Sequence, residues 1–424
     1  MPFYAAPGVY VQEVPRGVRP IGTVGTSTAA FVGLAQNRNA GRGRAVPVNN
    51  WTEFASTFLD QDDDAPSTPL VRAVYGFFAN GGGRCYVVNL GESEPIAGGA
   101  RGRSGLQLLE PIDEIAIVAA PGYTDALSYE SLLSHCERLG DRVAILDAPA
   151  QVNNVERLTR VIGSDAPSPS PSPTGTGTGK PDEHATTAKP PTNPGDPDED
   201  DTSALRPRES DHGTLYFPWL LAYDPVTGTT TPTAPSGHVA GVWARTDAQR
   251  GVHKAPANEP LAGGVVDLTY QVTRQEQELL NPRGVNCIRG FADAGIRIWG
   301  ARTLAAEASE WRYLNVRRTC NMLKESIEEG TRWIVFEPND HSLWTSIRCE
   351  INAFLTRVWR DGALFGRTPN EAFFVKCDEE TNPPEVRDAG QVVALIGVAP
   401  VKPAEFVVFK LSQSMDVAES NVGA

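Results

Sequence analysis

The spacing of apolar residues changes character along this chain, and each change marks a different kind of element. Between residues 27 and 162, short apolar runs alternate with helically spaced ones. Thr28–Leu34 reads as a buried strand. Leu70, Val71, Val74, Phe77 and Phe78 then recur at helical spacing after Pro69, until the glycines at 81–83 stop them. Cys85–Leu90 and Ile115–Ala119 read as strands. Ser128 stands where an N-cap would start a helix burying Tyr129, Leu132, Leu133 and Cys136. Val143–Leu146 is a fourth strand, and Val152, Val155, Leu158 and Ile162 mark another helix. This alternation predicts a mostly parallel sheet covered by helices. It resumes with a strand at Leu215–Tyr223 and a helix at Gly237–Arg250.

From about residue 275 the texture differs. Tyr313, Val316, Cys320, Leu323 and Ile327 follow a three-four spacing on one long helix, and Leu343, Ile347, Ile351, Phe354 and Val358 do so on a second. Trp333–Phe336 between them reads as a strand, as do Ala372–Lys376, Val392–Val398 and Glu405–Leu411. The pattern predicts an α+β module distinct from the first.

Two stretches fit neither module. Residues 164–212 hold ten prolines, no aromatic residue and one large aliphatic side chain, Leu205, so they cannot bury enough apolar surface to offset their ordering entropy. They are expected to be a disordered surface insertion. Residues 8–14, Gly-Val-Tyr-Val-Gln-Glu-Val, have strong β propensity and then meet Pro15, Gly17, Pro20 and Gly22. That strand is on a tether. It either folds back as an edge strand of its own domain or is donated to a neighbouring subunit.

Composition narrows the function. At 424 residues the chain is too long for one core, and about 150 residues per domain implies two or three. A net charge of -14 argues against wrapping nucleic acid or lying on an anionic membrane. The acidic runs 60–64 and 196–201 read as solvated. The six cysteines include no close pair, which favours buried thiols over disulfides or zinc. The first residues carry no basic stretch followed by an apolar one, and the longest apolar run, Val392–Val401, is half a membrane span. Synthesis and assembly in the cytoplasm are expected.

Candidate chemistry is thin. Gly175-Thr-Gly-Thr-Gly-Lys180 has the wrong glycine spacing for a phosphate loop, and Pro181 stands where Ser or Thr is needed. Gly81-Gly-Gly-Arg84 follows a helix and precedes a strand, the reverse of such a loop. His135 and His341 sit in or beside helices, and Asp113–Glu114 and Glu328–Glu329 are sequence neighbours that point apart. No catalytic, cofactor-binding or metal-ligating set is assigned, and the chain is expected not to be an enzyme. An α/β hydrolase or nucleotide-binding enzyme is the alternative, and it would account for the first half only.

Several blocks carry a resemblance. Residues 7–34 run Pro-Gly-Val-Tyr-Val-Gln-Glu-Val-Pro through Gly-Thr-Ser-Thr-Ala-Ala-Phe-Val-Gly-Leu. Later blocks are Gly251–Asn258, Asn281–Asn286, Gly295–Thr303, Trp333–Asp340, Leu343-Trp344, Ala372–Asp378 and Gly397–Phe409. Together, over roughly 1–90 and 235–412, the chain resembles contractile sheath proteins of phage tails and phage-like injection systems.

The resemblance implies a structural subunit that polymerises helically around an inner tube and contracts to drive that tube into a target. It implies an α/β plus α+β multidomain fold, with an inner α+β domain built from both chain ends and an outer α/β domain between them. The N-terminal arm (1–22) belongs to the inner domain. The outer domain takes 23–274 with its insertion 164–212, and the inner domain 275–424 ends in a β-arm at about 404–412.

Each arm would add a strand to a neighbour: Val9, Tyr10, Val11 and Val14 at one end, Phe406, Val407, Val408, Phe409 and Leu411 at the other. A seven-residue strand spans ~23 Å, enough to cross a subunit boundary. Hydrogen bonds of ~0.5–1.5 kcal/mol each, repeated at every subunit, would make a strong lattice. A tube contact must release on firing, so it should be small and polar. Arg348, Arg357 and Arg360 on one helix, or Arg312, Arg317 and Arg318 on the other, are the candidate tube-facing groups. Implied partners are other copies of the chain, the tube protein, and baseplate and cap or terminator proteins, without nucleic acid or membrane insertion. The subunit would be assembled in the cytoplasm as part of a particle that can be released.

Overall fold

The computed structural model describes residues 20–60, 65–91, 95–99, 102–163 and 204–406. The strands in chain order are β1 (Ala29–Gly33), β2 (Val46–Val48), β3 (Cys85–Asn89), β4 (Ile117–Ala119), β5 (Val143–Asp147), β6 (Gly213–Phe217), β7 (Leu220–Tyr223), β8 (Thr230–Thr233), β9 (Glu259–Pro260), β10 (Val265–Leu268), β11 (Val285–Phe291), β12 (Gly295–Ile298), β13 (Phe373–Lys376) and β14 (Leu395–Val398). The principal helices are α1 (Trp51–Phe58), α2 (Pro69–Ala79), α3 (Ala126–Leu139), α4 (Ser236–Arg250), α5 (Arg274–Leu280), α6 (Leu314–Thr331) and α7 (His341–Arg360).

A nine-stranded sheet, ordered β2-β3-β1-β4-β5-β6-β11-β12-β9, dominates the molecule. From β3 to β11 every neighbouring pair is parallel, and the edges β2, β12 and β9 are antiparallel. Strands β1, β3, β5 and β6 are buried throughout, because helices cover both faces and each strand must be apolar on both. Phe31, Val87 and Ile145 face one core with α1, α2 and α4, while Val32, Val88 and Leu146 face another with α3. Helices α2 and α4 cross closely: a Cβ at Gly237 or Gly241 would run into the α2 backbone at Ala73 or Phe77. A third core holds α6, α7 and the β13–β14 pair, and Ile21 joins it.

Several expectations change. The sequence puts the module boundary near 275, but β11 and β12 continue the large sheet. They form its antiparallel, half-exposed margin, where apolar density falls and imitates the start of a new module. Trp333–Phe336 is not a strand: Arg332–Ile334 make a 3-10 turn, and Val335 and Phe336 are exposed. Residues 152–162 supply only a 3-10 turn, Val155–Thr159. Asp125 caps α3 through the Ser128 amide, so Ser128 lies one turn inside the helix.

Residues 204–212 of the expected insertion are ordered: Leu205 joins the second core, and Arg206 donates to the carbonyls of Arg283 and Leu304. A polar segment can be ordered by buried hydrogen bonds where apolar area is lacking. Residues 164–203 of the insertion lie outside the described residues, as do Val9, Tyr10, Val11, Val14, Val407, Val408, Phe409 and Leu411.

Candidate assembly surface and the roots of the two arms

Strands β13 and β14 form a separate antiparallel pair, with Phe373 opposite Val398 and Lys376 opposite Leu395. Alternation turns Phe373, Val375, Ile396 and Val398 toward α7 and leaves Phe374, Lys376, Leu395 and Gly397 facing outward. Gly397 is required there, because the Phe374 ring lies across it and would collide with a Cβ. Phe374 and Leu395 are 54% and 53% exposed, an apolar face unusual for a lone hairpin. Beyond β14, residues 399–401 are covered by 363–365 through Phe365 N to Ala399 O and Val401 N to Ala363 O. Along Phe373–Lys376 and Leu395–Val398 themselves, neither outer edge has a strand partner among the described residues. Two strands of this length are marginal alone, so the pair leans on α7 and presents two open edges.

The chain enters and leaves this region through fixed points. On the N-terminal side, Ile21 is buried against Gly330 of α6, its carbonyl accepts from Arg357 of α7, and Val24 N donates to Ser326 Oγ at 3.0 Å. Arg318 grips Asp247 of α4 with both Nη atoms, at 3.0 and 2.6 Å, donates to Thr26 O at 2.9 Å, and lies over the Trp243 ring at 4.7 Å. Thr26 Oγ1 also donates to Asp247, at 2.6 Å.

On the C-terminal side, Glu405 accepts from Arg302 Nε and Nη2 at 2.9 and 2.6 Å, from Asn281 Nδ2 at 2.8 Å and from Tyr313 OH at 3.4 Å. Burial raises the Glu405 pKa, but the donors from Arg302, Asn281 and Tyr313 outweigh it and hold the group below the usual carboxylate range. Glu405 and Phe406 pair with no strand of their own subunit among the described residues, and Phe406 is exposed.

The arginines expected to face a tube divide. Arg318 is 3% exposed and spent inside the subunit, so it cannot be a surface contact. Arg317 pairs with Asp211 at 3.0 Å and covers the Trp311 ring at 3.9 Å, and Arg312 packs on Tyr313. On α7, Arg348 donates to Cys377 O at 2.8 Å, Arg357 is exposed but holds Ile21, and Arg360 is exposed without a partner among the described residues. Of the two candidate sets, Arg317 and Arg318 of α6 and Arg312 of the 3-10 turn before it are engaged within the subunit, whereas Arg357 and Arg360 of α7 are exposed. Asp211 and Asp247, the acids that decide this, lie far along the chain from Arg317 and Arg318 and carry no local signal.

Elsewhere, buried polar groups work as ties. Asp147, at the carboxyl end of β5, accepts from Gly122 N, Ser236 N and Ser236 Oγ at 3.1, 2.8 and 2.8 Å, and burial lifts its pKa to about 6. Doubly wound enzymes bind ligands at this end of the sheet. Here Pro69 and Trp219 fill the space at Gly122. Among the described residues no group of His, Cys, Asp and Glu is placed to hold a metal ion, and no helix is long and apolar enough to cross a membrane.

A model of the phage tail sheath protein central domain matches residues 206–304, and one of the phage tail sheath C-terminal domain matches 306–414. The chain also superposes on a solved sheath. In the contracted sheath complex of an extracellular contractile injection system (PVC), the TM-score is 0.73 at 26% identity, covering 98% of this chain and 99% of that one. The chain belongs to the contractile tail sheath family.

The contracted helical sheath of the anti-feeding prophage (AFP) is also similar, with a TM-score of 0.71 and 27% identity over 97% of this chain and 100% of that one. The tail sheath protein of Vibrio phage KVP40 is 33% identical over 189 residues, which are 43% of this chain and 27% of that protein. That of Burkholderia phage BcepMu is 30% identical over 191 residues, 43% and 39% of the two chains. The chain thus covers well under two thirds of these curated phage relatives. In sheath-family terms, the Arg302–Glu405 pair joins the central-domain match to the C-terminal-domain match.

Proposed function

We propose that this chain is the repeating subunit of a contractile sheath, which polymerises helically around an inner tube and shortens to drive the tube into a target. The observation that carries this reading is the two-stranded β13–β14 sheet, with neither edge paired among the described residues, and a chain segment anchored at each end of the subunit. A strand from the N-terminal arm of one neighbour, through Val9, Val11 and Val14, and one from the C-terminal arm of another, through Phe406–Leu411, would complete a four-stranded sheet. Such augmentation uses backbone hydrogen bonds for strength and alternate side chains for register. The outward Phe374 and Leu395 would be covered in the polymer.

The tube contact falls to α7, with Arg360 as its first candidate and Arg348 and Arg357 beside it. Baseplate and cap proteins would bind the sheath's ends, and assembly would take place in the cytoplasm before any release of the particle. Similarity over nearly the full length of both chains to injection-system sheaths supports that branch over a phage tail. The role is structural, and no reaction is assigned to the chain.

Sedimentation and electron microscopy of the purified protein test this. The full-length chain should form tubes or filaments. Deletion of residues 2–14 should yield a soluble monomer that unfolds near the temperature of unassembled parent. Long tubes from the deleted chain would refute strand donation.

A further inference from the structure

Both proposed arms must transmit force into the subunit, and the structure roots them differently. The N-terminal root is held chiefly by α6 and α7, through Ile21 and Val24, before Thr26 reaches Asp247 of α4. The C-terminal root leaves that module. After Val401, whose carbonyl accepts from Asn315 Nδ2 at 2.9 Å, the chain runs to Glu405, whose carboxylate sits among Arg302, Asn281 and Tyr313.

Arg302 is tied in turn to the large sheet. Asn286 of β11, fully buried, accepts from Arg302 N at 2.7 Å and donates to Arg302 O at 2.8 Å, a side-chain amide acting as a strand partner. Arg302 Nη1 also donates to Asn281 O at 3.0 Å, which closes the ring of contacts.

We infer that Glu405 is a positioning residue for assembly: it fixes the base of the C-terminal arm and, through Arg302 and Asn286, couples that arm to the nine-stranded sheet. The inference rests on the strand-donation reading above. A carboxylate with four donors, bidentate to an arginine that is itself 4% exposed, sets position and direction far more tightly than an exposed pair does. It lies one residue before the proposed strand, so its displacement would shift where the arm can reach. A subunit lacking this tie keeps the arm's sequence but loses its aim.

The test is a double-mutant cycle in the full-length chain, with Glu405→Gln and Val408→Pro separately and together. The readout is the protein concentration at which half sediments as polymer. Val408→Pro removes a ladder donor inside the arm. Glu405→Gln alone should raise the required concentration about tenfold, the loss of roughly one charged hydrogen bond. In the Val408→Pro background it should add little, because the arm it aims is already disabled.

Equal effects of Glu405→Gln in both backgrounds would make the residue an ordinary structural tie and overturn the inference. No effect of Glu405→Gln beside a clear effect of Val408→Pro would overturn it while sparing strand donation. No effect of Val408→Pro would sink the C-terminal arm reading itself. Thermal unfolding of the unassembled variants identifies any that fail to fold. Should Glu405→Gln do so, Asn281→Ala removes one donor and leaves the ion pair, and the same cycle is run with it.

Discussion

Replacing Arg318 by Ala should destabilise the subunit itself rather than loosen a surface contact. The guanidinium is almost completely enclosed, as is its partner: the side chains of Arg318 and Asp247 are 3% and 5% exposed. Removing it leaves Asp247 buried with one remaining donor, Thr26 Oγ1, strips the Thr26 carbonyl of its partner and uncovers the face of Trp243. Breaking one side of a buried pair costs about 3–5 kcal/mol. With an unfolding entropy of about 2.1 cal/mol/K per residue, a chain of this length carries roughly 0.9 kcal/mol/K, so the melting temperature should fall by about 3–6 °C. Differential scanning calorimetry of unassembled protein reads this directly. Arg360→Glu is the control: exposed and without a partner among the described residues, it should stay within about 0.5 kcal/mol of the parent. An Arg318→Ala variant that melts with the parent would refute the internal role and return Arg318 to the surface.

Two further perturbations test other features. Glu325 of α6 titrates near 7, raised first by burial and then by Asp141 and Glu329, with Asp113 adding and Arg142 opposing. A raised carboxyl supports folding while protonated and loses that support as pH rises through its folded value. Glu325→Gln should therefore melt higher than the parent at pH 8 and nearly alike at pH 5, and a gain equal at both would refute the assignment. Phe336 sits fully exposed at φ 69, and left-handed backbone costs a bulky residue about 1–3 kcal/mol against about 0.5–1 for glycine's extra unfolded freedom. Phe336→Gly should leave the unassembled subunit equally or more stable by thermal melting, and a clear loss would mean the ring works inside the fold.

The sheet was legible where one residue's environment was set by its near neighbours. Thr68 and Pro69 start α2, the glycines at 81–83 end it, and Phe31 and Val32 are buried on opposite faces as the unbroken apolar run implies. It was not legible where partners are distant. Trp333–Phe336 has the composition of a strand, but among the described residues no strand lies beside it, and Trp333 instead donates to Glu350 of α7. Arg317 and Arg318 look like a charged helical face, yet each meets an acid brought in by another element, Asp211 and Asp247. Helical spacing tells which residues share a face and nothing about what that face meets. The same limit hid Glu405, whose partners Asn281, Arg302 and Tyr313 are about a hundred residues away in the chain.

Weaving of subunits through the β13–β14 pair can be seen outright by electron cryomicroscopy of the assembled polymer. A map at side-chain resolution should show a third and a fourth strand beside Phe373–Lys376 and Leu395–Val398, traced back to the N- and C-termini of two different neighbouring copies. Edges left bare, or filled by the arms of the same copy, would contradict the account.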